Sequence, residues 1–417
     1  MHVYSNDFAL LQNLFGKKAA HRQRLLRRLH YEIDLQIYDE KRACCLERPW
    51  ESRANNAVFQ KGVINIFKTL SRWQLPPLEL TLTASSLMDS RRSGSRVLGD
   101  PDRWLFRDNY LTLEGIDDVN LPQMMPIVSL KIPNSGRSWQ RALPRERVRQ
   151  FHPVAIDKLV SLLPNLEHLD LELNMPRPKR VELQSKHWLA ERAPLTKLKL
   201  KGQWLLSPAL FERDIEFPHL REVEIECALF TYDGRWYYNG DPSTVQAKYP
   251  RTRVTHEFQE DSDSDLSLHS ESEQGDRWDS FKDQFRDGEN SKHIWRTKPD
   301  VQVFNPLIKA LVAAILRMPN LQNMIFNIAN GEEMAFVGME MRGLSIEFAG
   351  AGTEAWHGMS QLRDNERLNR CYVKLRPQTR WDVPKDILSL CKEYVGDAGE
   401  VFVDSLDVQV DNLIKMW

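Results

Sequence analysis

The sequence predicts an α/β fold in which short parallel strands line one curved face and helices line the other. In 162–173 the leucines follow the spacing L-x-x-L-x-L-x-L, which is typical of a helix-to-strand corner that leads into a strand with one buried face. Residues 318–328 repeat this unit, because the corner tripeptide Pro-Asn-Leu recurs there before an apolar strand segment. Two copies of one unit in a single chain indicate a repeat protein.

The steps between successive predicted strands favour an irregular leucine-rich-repeat-like solenoid. The step from Leu169 to Leu198 is 29 residues, and the step from Leu198 to Val223 is 25 residues. Both lie within the range of about 20–29 residues that is typical of leucine-rich units. The step from Leu130 to Leu169 is 39 residues, so we expect the units to differ in length.

Apolar periodicity predicts the helices and strands of these units. Apolar residues that recur every three or four positions predict helices at 7–28, 55–73, 153–163, 305–318 and 384–394. Alternating apolar residues predict strands at 29–35, 78–82, 128–132, 166–173, 195–200, 220–225, 324–328, 344–348, 373–375 and 401–403. Each strand would bury one face against the helices and expose the other.

An acidic insertion interrupts the array. The segment 257–290 holds twelve acidic residues against three basic ones. Such a composition buries too little apolar surface to offset the entropy of ordering, so we expect a mostly disordered insertion. Ser262 and Ser270 each precede an acidic residue by three positions, a pattern that predicts phosphorylation. We divide the chain into three parts. Residues 1–237 are the N-terminal part of the solenoid, residues 238–300 are the mostly disordered acidic insertion, and residues 301–417 are the C-terminal part of the solenoid with its cap.

Composition and charge exclude several classes of function. The formal net charge is −1, so no global field attracts nucleic acid or an anionic membrane. A basic run at 17–28 has few interleaved aromatic residues, and we expect a solvated helix face there rather than a nucleic-acid contact. No apolar run approaches the ~18 residues that a membrane span needs. The five cysteines are scattered apart from Cys44 and Cys45, which favours a reduced, intracellular protein of the cytoplasm or nucleus.

No motif with a catalytic or cofactor-binding mechanism is present. The sequence contains no P-loop, no G-x-G-x-x-G after a strand, no H-E-x-x-H and no G-x-S-x-G. Gly350-Ala351-Gly352 follows a predicted strand but lacks a third glycine, which favours a turn. His152 and His168 lie beside corners without a nucleophile that can be named, so a surface or capping role is favoured over a catalytic base. We therefore expect no enzyme activity, no cofactor and no metal.

Two further groups have alternative interpretations. The Trp236-Tyr237-Tyr238 cluster is either a ligand platform or, as we favour, an anchor for the chain where it leaves the array. Asp170 and Glu172 form a carboxylate pair, because residues two apart on a strand share one face about 6.5–7 Å apart. Acid–base chemistry is disfavoured for this pair, since no pocket-forming aromatic residues lie near it in the sequence.

The residues between the inward leucines predict a charged strip on the outer face of the sheet. Neighbouring parallel strands there carry acidic, basic and acidic side chains, which we expect to pair across the strands. The charged strip comprises Lys131, Asp170, Glu172, Lys199, Lys201, Glu224 and Glu226. It is either a surface that binds a protein partner or a set of ion pairs that fixes the strand register.

Short motifs spread over most of the chain carry a family resemblance. They are Arg27-Arg28-Leu29-His30-Tyr31-Glu32-Ile33-Asp34-Leu35, Asn55-Asn56-Ala57-Val58-Phe59, Leu70-Ser71-Arg72-Trp73, Leu78-Glu79-Leu80-Thr81-Leu82 and Leu163-Pro164-Asn165-Leu166. With these motifs the chain resembles the F-box/leucine-rich-repeat-like proteins of filamentous fungi. The resemblance implies a ubiquitin-ligase receptor, in which an N-terminal F-box docks the ligase adaptor and the repeats recognise the substrate.

The F-box itself has no counterpart in this sequence. No Leu-Pro-x-Glu-type helix precedes Asp7. The adaptor-docking role therefore cannot be assigned to any residue of this sequence, and we expect no adaptor binding. The chain is then either a repeat-only relative or the product of a gene sequence that lacks its first exon. The expected function is non-catalytic protein binding. The specific version of this expectation is that the chain recognises substrates for such a ligase. The alternatives are a scaffold unrelated to ubiquitin and an enzyme with an unrecognised site.

Overall fold

A large, mostly parallel β-sheet dominates the fold. The computed structural model describes residues 1–16, 19–36, 48–86, 110–113, 121–133, 148–173, 194–211, 217–228, 231, 235–239, 298–328, 343–353, 368–375 and 381–405. Within these residues one sheet is 11-stranded and a second sheet is 2-stranded. The predicted α/β class is confirmed, with a large sheet and few helices.

The strands of the large sheet stand side by side in the same order as in the chain. They are β1 His2–Tyr4, β2 Arg28–Asp34, β3 Leu78–Ser85, β4 Ile127–Ile132, β5 His168–Leu173, β6 Lys197–Trp204, β7 Glu222–Cys227, β10 Asn323–Ile328, β11 Leu344–Ala349, β12 Arg370–Leu375 and β13 Glu400–Ser405. The small sheet pairs β8 (Tyr238–Asn239) with β9 (Lys298–Pro299) in antiparallel fashion. The sequence prediction missed β1, β8 and β9, because two or three residues are too few to show an alternating pattern.

The prediction that all strands of the array are parallel is wrong for β11. This strand runs antiparallel to both β10 and β12, whereas the other neighbouring pairs of the large sheet are parallel. An alternating apolar pattern specifies which face of a strand is buried, but it is the same whichever way the strand runs. A parallel neighbour also requires a crossover connection, commonly a helix, and antiparallel neighbours do not.

The described helices are α1 Phe8–Phe15, α2 Ala20–Gln23, α3 Pro49–Leu70, α4 Pro153–Ser161, α5 Val301–Ile315 and α6 Lys385–Val395. The single helix predicted at 7–28 is instead two short helices. Gly16 ends α1 in an extended conformation in which a Cβ atom would lie 2.3 Å from the carbonyl oxygen of Gln12. Only glycine fits this exit from the helix, so the chain leaves the helical path there.

Helix α3 begins at Pro49 rather than at the predicted Asn55. Proline is favoured in a first helical turn because its missing N–H group has no partner to lose there. The Glu51 carboxylate accepts a hydrogen bond of 2.6 Å from the backbone N–H of Arg48, which satisfies one more donor at this end. The start of the helix is therefore specified by capping, although its apolar stripe begins later.

Strands and helices share one buried core. The inner face of α3 contributes Phe59, Val63, Phe67 and Leu70, which are fully buried and recur at helical spacing. Leu169 and Leu171 of β5 belong to the same core, with the inward residues of the neighbouring strands. The residues between them point to the opposite side of the sheet, which we call the outer face.

The two copies of the corner tripeptide play the same structural part. The side-chain amide of Asn165 donates to the carbonyl oxygen of Met125 at 2.9 Å, and that of Asn320 donates to the carbonyl oxygen of Pro218 at 2.5 Å. Each acceptor lies just before the neighbouring strand, so the asparagine ties one corner to the corner beside it. The leucines that follow the two asparagines are buried. The repeated sequence motif thus corresponds to a repeated structural unit.

The acidic segment 257–290 lies outside the described residues, and Ser262, Ser270, the Cys44–Cys45 pair and the predicted C-terminal cap lie outside them as well. The two ends of the region 238–300 are described, and they pair with each other as β8 and β9. Among the described helices, none has the length and apolar character needed to cross a bilayer.

Candidate functional site

The outer face of the sheet carries the polar and charged groups that can contact other molecules. Strand pairing lines up one continuous row of outer-face residues across all eleven strands. The row consists of His2, His30, Thr81, Lys131, Asp170, Lys199, Glu224, Ile325, Glu347, Tyr372 and Phe402. It contains three clusters with different chemistry: a histidine cluster near β1, the charged strip between β4 and β7, and a buried ion pair on β11 and β12.

The charged strip is held together by ion pairs between neighbouring strands. Lys131 Nζ lies 3.2 Å from Asp170 Oδ2, and Lys199 Nζ lies 2.6 Å from Glu224 Oε2. Asp170 stands opposite Lys199 in the register of β5 and β6. The predicted alternation of acidic and basic residues across neighbouring strands is therefore confirmed. A pair that the sequence analysis left out, Lys197 with Glu222, extends the alternation by one row.

The second row of the charged strip departs from the prediction. Glu172 stands opposite Lys201 as expected, but Lys201 Nζ lies 3.4 Å from Glu224 Oε1 rather than beside Glu226. The register of β6 and β7 shifts after Leu200. There Gly202 has a φ of 105°, and its N–H group donates to Glu226 Oε2 at 2.5 Å. Glu226 thus stabilises the bulge in β6, which glycine permits, and does not continue the row.

The histidine cluster lies at the end of the sheet formed by β1, β2 and β3. The imidazoles of His2 and His30 stack with ring centroids 4.0 Å apart and planes 3° from parallel. His2 Nε2 lies 3.0 Å from Glu32 Oε2, and Ser85 Oγ donates to Glu32 Oε1 at 2.5 Å. His30 Nε2 lies 2.8 Å from Thr83 Oγ1. The side chains in these contacts come from outer-face residues of three adjacent strands.

Burial perturbs the pKa values of two residues on β2, His30 and Asp34. The pKa of His30 is lowered first by desolvation and then by the nearby His2, while the Glu32 carboxylate acts in the opposite direction. The pKa of Asp34, on the same strand, is raised by burial, and hydrogen bonds from Asn6 and Ser5 oppose that rise. His30 is therefore neutral at neutral pH and retains a lone pair on one ring nitrogen.

The third cluster is a buried ion pair near the far end of the sheet. Lys374 Nζ lies 3.1 Å from Glu347 Oε2, and the two side chains are only 7% and 1% exposed. Lys374 Nζ also lies 5.3 Å from the ring centroid of Tyr372, which stacks on Phe402 with centroids 5.0 Å apart. An ion pair this deeply buried depends on its partners, because an unpaired charge there would carry a large desolvation penalty.

The remaining residues that the sequence singled out have structural roles or lie at the surface. His152 caps α4, since its Nδ1 accepts a hydrogen bond from the N–H of Val154 at 3.2 Å, and this confirms the capping interpretation. His168 is exposed on β5. Gly352, with a φ of 79°, lies in the predicted turn. Tyr237 and Tyr238 are fully buried and pack edge-on against Phe304, which agrees with the favoured interpretation as an anchor.

Among the described residues, one group of histidine, cysteine or acidic side chains is close enough to hold a metal ion: His2, His30 and Glu32. No metal is predicted from the sequence, and this group is not among the predicted site residues. Its members lie 28 residues apart at two points of the chain, and nothing in the local pattern places β1 beside β2. The signal that was available is the pair His30 and Glu32, two positions apart on one predicted strand and so on one face.

Comparison of the chain with protein-family models, with curated proteins and with solved structures found no match.

Proposed function

We propose that the chain is a non-catalytic protein-binding protein with a leucine-rich-repeat-like solenoid architecture. In this proposal the charged strip is the surface that contacts the partner. The observation that carries the proposal is the alignment of four residues of the strip in one row on four adjacent parallel strands: Lys131, Asp170, Lys199 and Glu224. Side chains aligned in this way present a broad surface of fixed spacing, which suits an extended contact with another protein better than the enclosure of a small molecule.

The charges of the strip favour a partner that carries both signs. Lys131 is 51% exposed and Lys201 is 36% exposed, whereas Lys199 is largely covered and paired with Glu224. The exposed lysines can exchange part of their present pairing for contacts with a partner's carboxylates. Such exchange contributes mainly to specificity and to the rate of association rather than to raw affinity.

The first experiment compares captured proteins between two matched double variants. Lys131→Ser with Lys201→Ser removes two positive charges from the strip but leaves the covered Lys199–Glu224 pair in place. Lys309→Ser with Lys385→Ser removes the same charge from exposed positions on α5 and α6. We expect a partner that is captured by the wild type and by the helix variant, and lost by the strip variant. Equal capture by both variants would contradict the assignment of the strip.

The identity of the captured proteins separates the specific versions of this function. Ubiquitin-ligase subunits together with a substrate favour the substrate-recognition part of an F-box-type receptor, as the family resemblance implies. A single stable partner without ligase subunits favours a scaffold unrelated to ubiquitin. A shift in the melting temperature on addition of a metabolite, in place of any protein partner, indicates an enzyme instead.

Binding of the ligase adaptor is tested separately by co-expression with this chain. Docking of an adaptor needs an interface on the order of 1,200 Å² or more with a buried apolar centre. Helix α1 spans eight residues, and its Leu11 is already fully buried in the core. We expect no stable co-purification. A stable complex would show that the docking element lies within the residues that we assign to the array.

A further inference from the structure

We propose that His2, His30 and Glu32 form a binding site for a first-row divalent transition metal ion, with Zn²⁺ as the expected ion. This inference is independent of the protein-binding function, because it concerns side chains on β1 and β2 and none of the charged strip on β4 to β7. It rests on the geometry of the three side chains, on the groups that orient them, and on the burial of the carboxylate.

The three side chains bring their candidate ligand atoms near one another. The candidate atoms of the three residues all lie within 4.8 Å of one another. Zn²⁺ binds imidazole nitrogen and carboxylate oxygen at about 2.0–2.1 Å, so His2 Nε2 and Glu32 Oε2, which are 3.0 Å apart, can bind one ion at an angle of roughly 90–95°. The imidazole of His30 stacks on that of His2, and it completes the set when the exposed ring of His2 rotates about its Cβ–Cγ bond, a soft torsion, while His30 keeps its contact with Thr83.

Neighbouring hydroxyl groups hold two of the three ligands in place. Ser85 Oγ donates to Glu32 Oε1, which fixes the carboxylate and leaves Oε2 directed at His2. Thr83 Oγ1 bonds one nitrogen of His30, so that the ring is oriented and its other nitrogen is available. Hydrogen bonds of this kind to the far side of a ligand set its orientation in metal sites.

The electrostatics of the cluster favour a cation from outside. The side chain of Glu32 is 3% exposed, and a buried carboxylate is costly unless positive charge compensates it. His2 is 40% exposed, so an ion can enter from its side.

The donor set selects the class of ion. Two imidazoles and one carboxylate suit Zn²⁺, Co²⁺ or Ni²⁺, whereas Mg²⁺ and Ca²⁺ prefer oxygen ligands alone. With three protein ligands, a tetrahedral ion keeps one position for water or for a fourth group. The site would therefore bind Zn²⁺ and discriminate strongly against Mg²⁺.

The test is a Zn²⁺ titration of the full chain, prepared without a polyhistidine tag and stripped with a chelator beforehand. Competition with a chromophoric chelator measures affinity and stoichiometry. We expect one tight site in the wild type, weakened at least tenfold by His30→Ala and by Glu32→Gln. His168→Ala removes another outer-face histidine on β5 and should leave this site unchanged. Mg²⁺ should not compete.

A second measurement covers the case in which a variant of β2 fails to fold. His2→Ala alters an edge strand of three residues and spares the buried positions. Co²⁺ bound to nitrogen and oxygen ligands has visible d–d bands, and we expect these bands in the wild type and their loss in His2→Ala. The proposal is overturned if the wild type shows no tight site, or if the Co²⁺ spectrum and the Zn²⁺ affinity of the wild type persist in folded His2→Ala.

Discussion

The pH dependence of stability should depend on His30. Its pKa lies below the ordinary value of 6.5 because of burial and of the nearby His2, against the opposing effect of Glu32. Between the lowered pKa and 6.5 the unfolded chain binds more protons at this position than the folded chain, so the free energy of unfolding falls as the pH falls through that window. Of the other groups facing His30, the terminal amine also lowers its pKa.

We therefore expect a lower denaturant midpoint near pH 5.5 than near pH 7.5, in the presence of a chelator, and a smaller difference in His30→Gln. Asp34 cannot produce the same result. Its pKa is raised from 3.8, so its effect on stability has the opposite sign: the folded state gains stability when Asp34 is protonated. An identical pH dependence in wild type and His30→Gln would contradict the assignment of the effect to His30.

The buried Lys374–Glu347 pair allows a second prediction for single residues. Lys374→Met removes the cation that lies 3.1 Å from a carboxylate that is 1% exposed. We expect the variant to lose about 3–5 kcal/mol of unfolding free energy, the usual effect of breaking a buried pair from one side. Adding Glu347→Gln to the variant should recover part of the loss, because the uncompensated charge is then gone. Denaturant melts of the three proteins measure both effects.

The matched control is an ion pair of the same chemistry on the surface. Lys309 Nζ and Asp386 Oδ2 lie 2.8 Å apart between α5 and α6, with side chains 57% and 54% exposed. Lys309→Met should change the denaturant midpoint little, since solvent screens exposed pairs. Equal effects of Lys309→Met and Lys374→Met would show that burial does not govern these pairs.

At the scale of the elements, the charged strip predicts how β5, β6 and β7 depend on one another. Lys199→Glu with Lys201→Glu would place six carboxylates on three adjacent strands. We expect a loss of about 0.2–1 kcal/mol for each broken cross-strand pair, and further loss from the new repulsion. In the Lys199→Glu background, Glu224→Lys should restore part of the stability, because the pair of 2.6 Å is rebuilt in reverse while the contact with Lys201 becomes repulsive. Unchanged melting in the double glutamate variant would contradict the strand pairing.

The packing of α3 on β2 predicts that a glycine-to-alanine substitution within a helix lowers stability, which is the reverse of the usual effect. An alanine in a helix is ordinarily more stable than a glycine by about 1 kcal/mol. A Cβ atom at Gly62, however, would lie 3.0 Å from three side-chain atoms of Ile33, which is fully buried. We expect Gly62→Ala to lower the unfolding free energy, and Ile33→Ala to reverse the sign of that effect in the double variant. Gly62→Ala that stabilises the wild type would contradict this close approach.

At the scale of the whole molecule, residues 240–297 should be dispensable for folding. Strand β8 pairs Asn239 with Lys298, so the ends of this region are held side by side. Tyr238 is fully buried beside Phe304 and anchors one of those ends. A Gly-Ser loop of about four residues is long enough to join two paired strands. We expect the shortened chain to melt within a few degrees of the full chain.

The control for this deletion is a variant of the anchor. Tyr238→Ala removes a buried ring, and large aromatic residues lose about 3–5 kcal/mol on truncation to alanine. It should destabilise the full chain and the shortened chain equally. A large drop in melting temperature on shortening alone would show that residues 240–297 contribute to the core.

The apolar spacing of the sequence was enough to predict the α/β class, the helices α3 to α6 and the long strands. The reason is that a period of two or of 3.6 residues fixes which side of an element is buried, whatever its neighbours are. The same reasoning placed Asp170 and Lys199 on the outer face. Their pairing followed because the inward apolar residues Leu169 and Leu198 stand in register on neighbouring parallel strands, which places Asp170 opposite Lys199.

The direction of β11, the bulge at Gly202 and the cluster of His2, His30 and Glu32 could not be derived in this way. Each depends on how two segments far apart in the chain meet. Strand direction and register are set by the packing of complete elements against the core. The position of β1 is seen only in its pairing with β2, which sets His2 opposite His30. Local sequence specifies the faces of the elements, and long-range packing decides which faces meet.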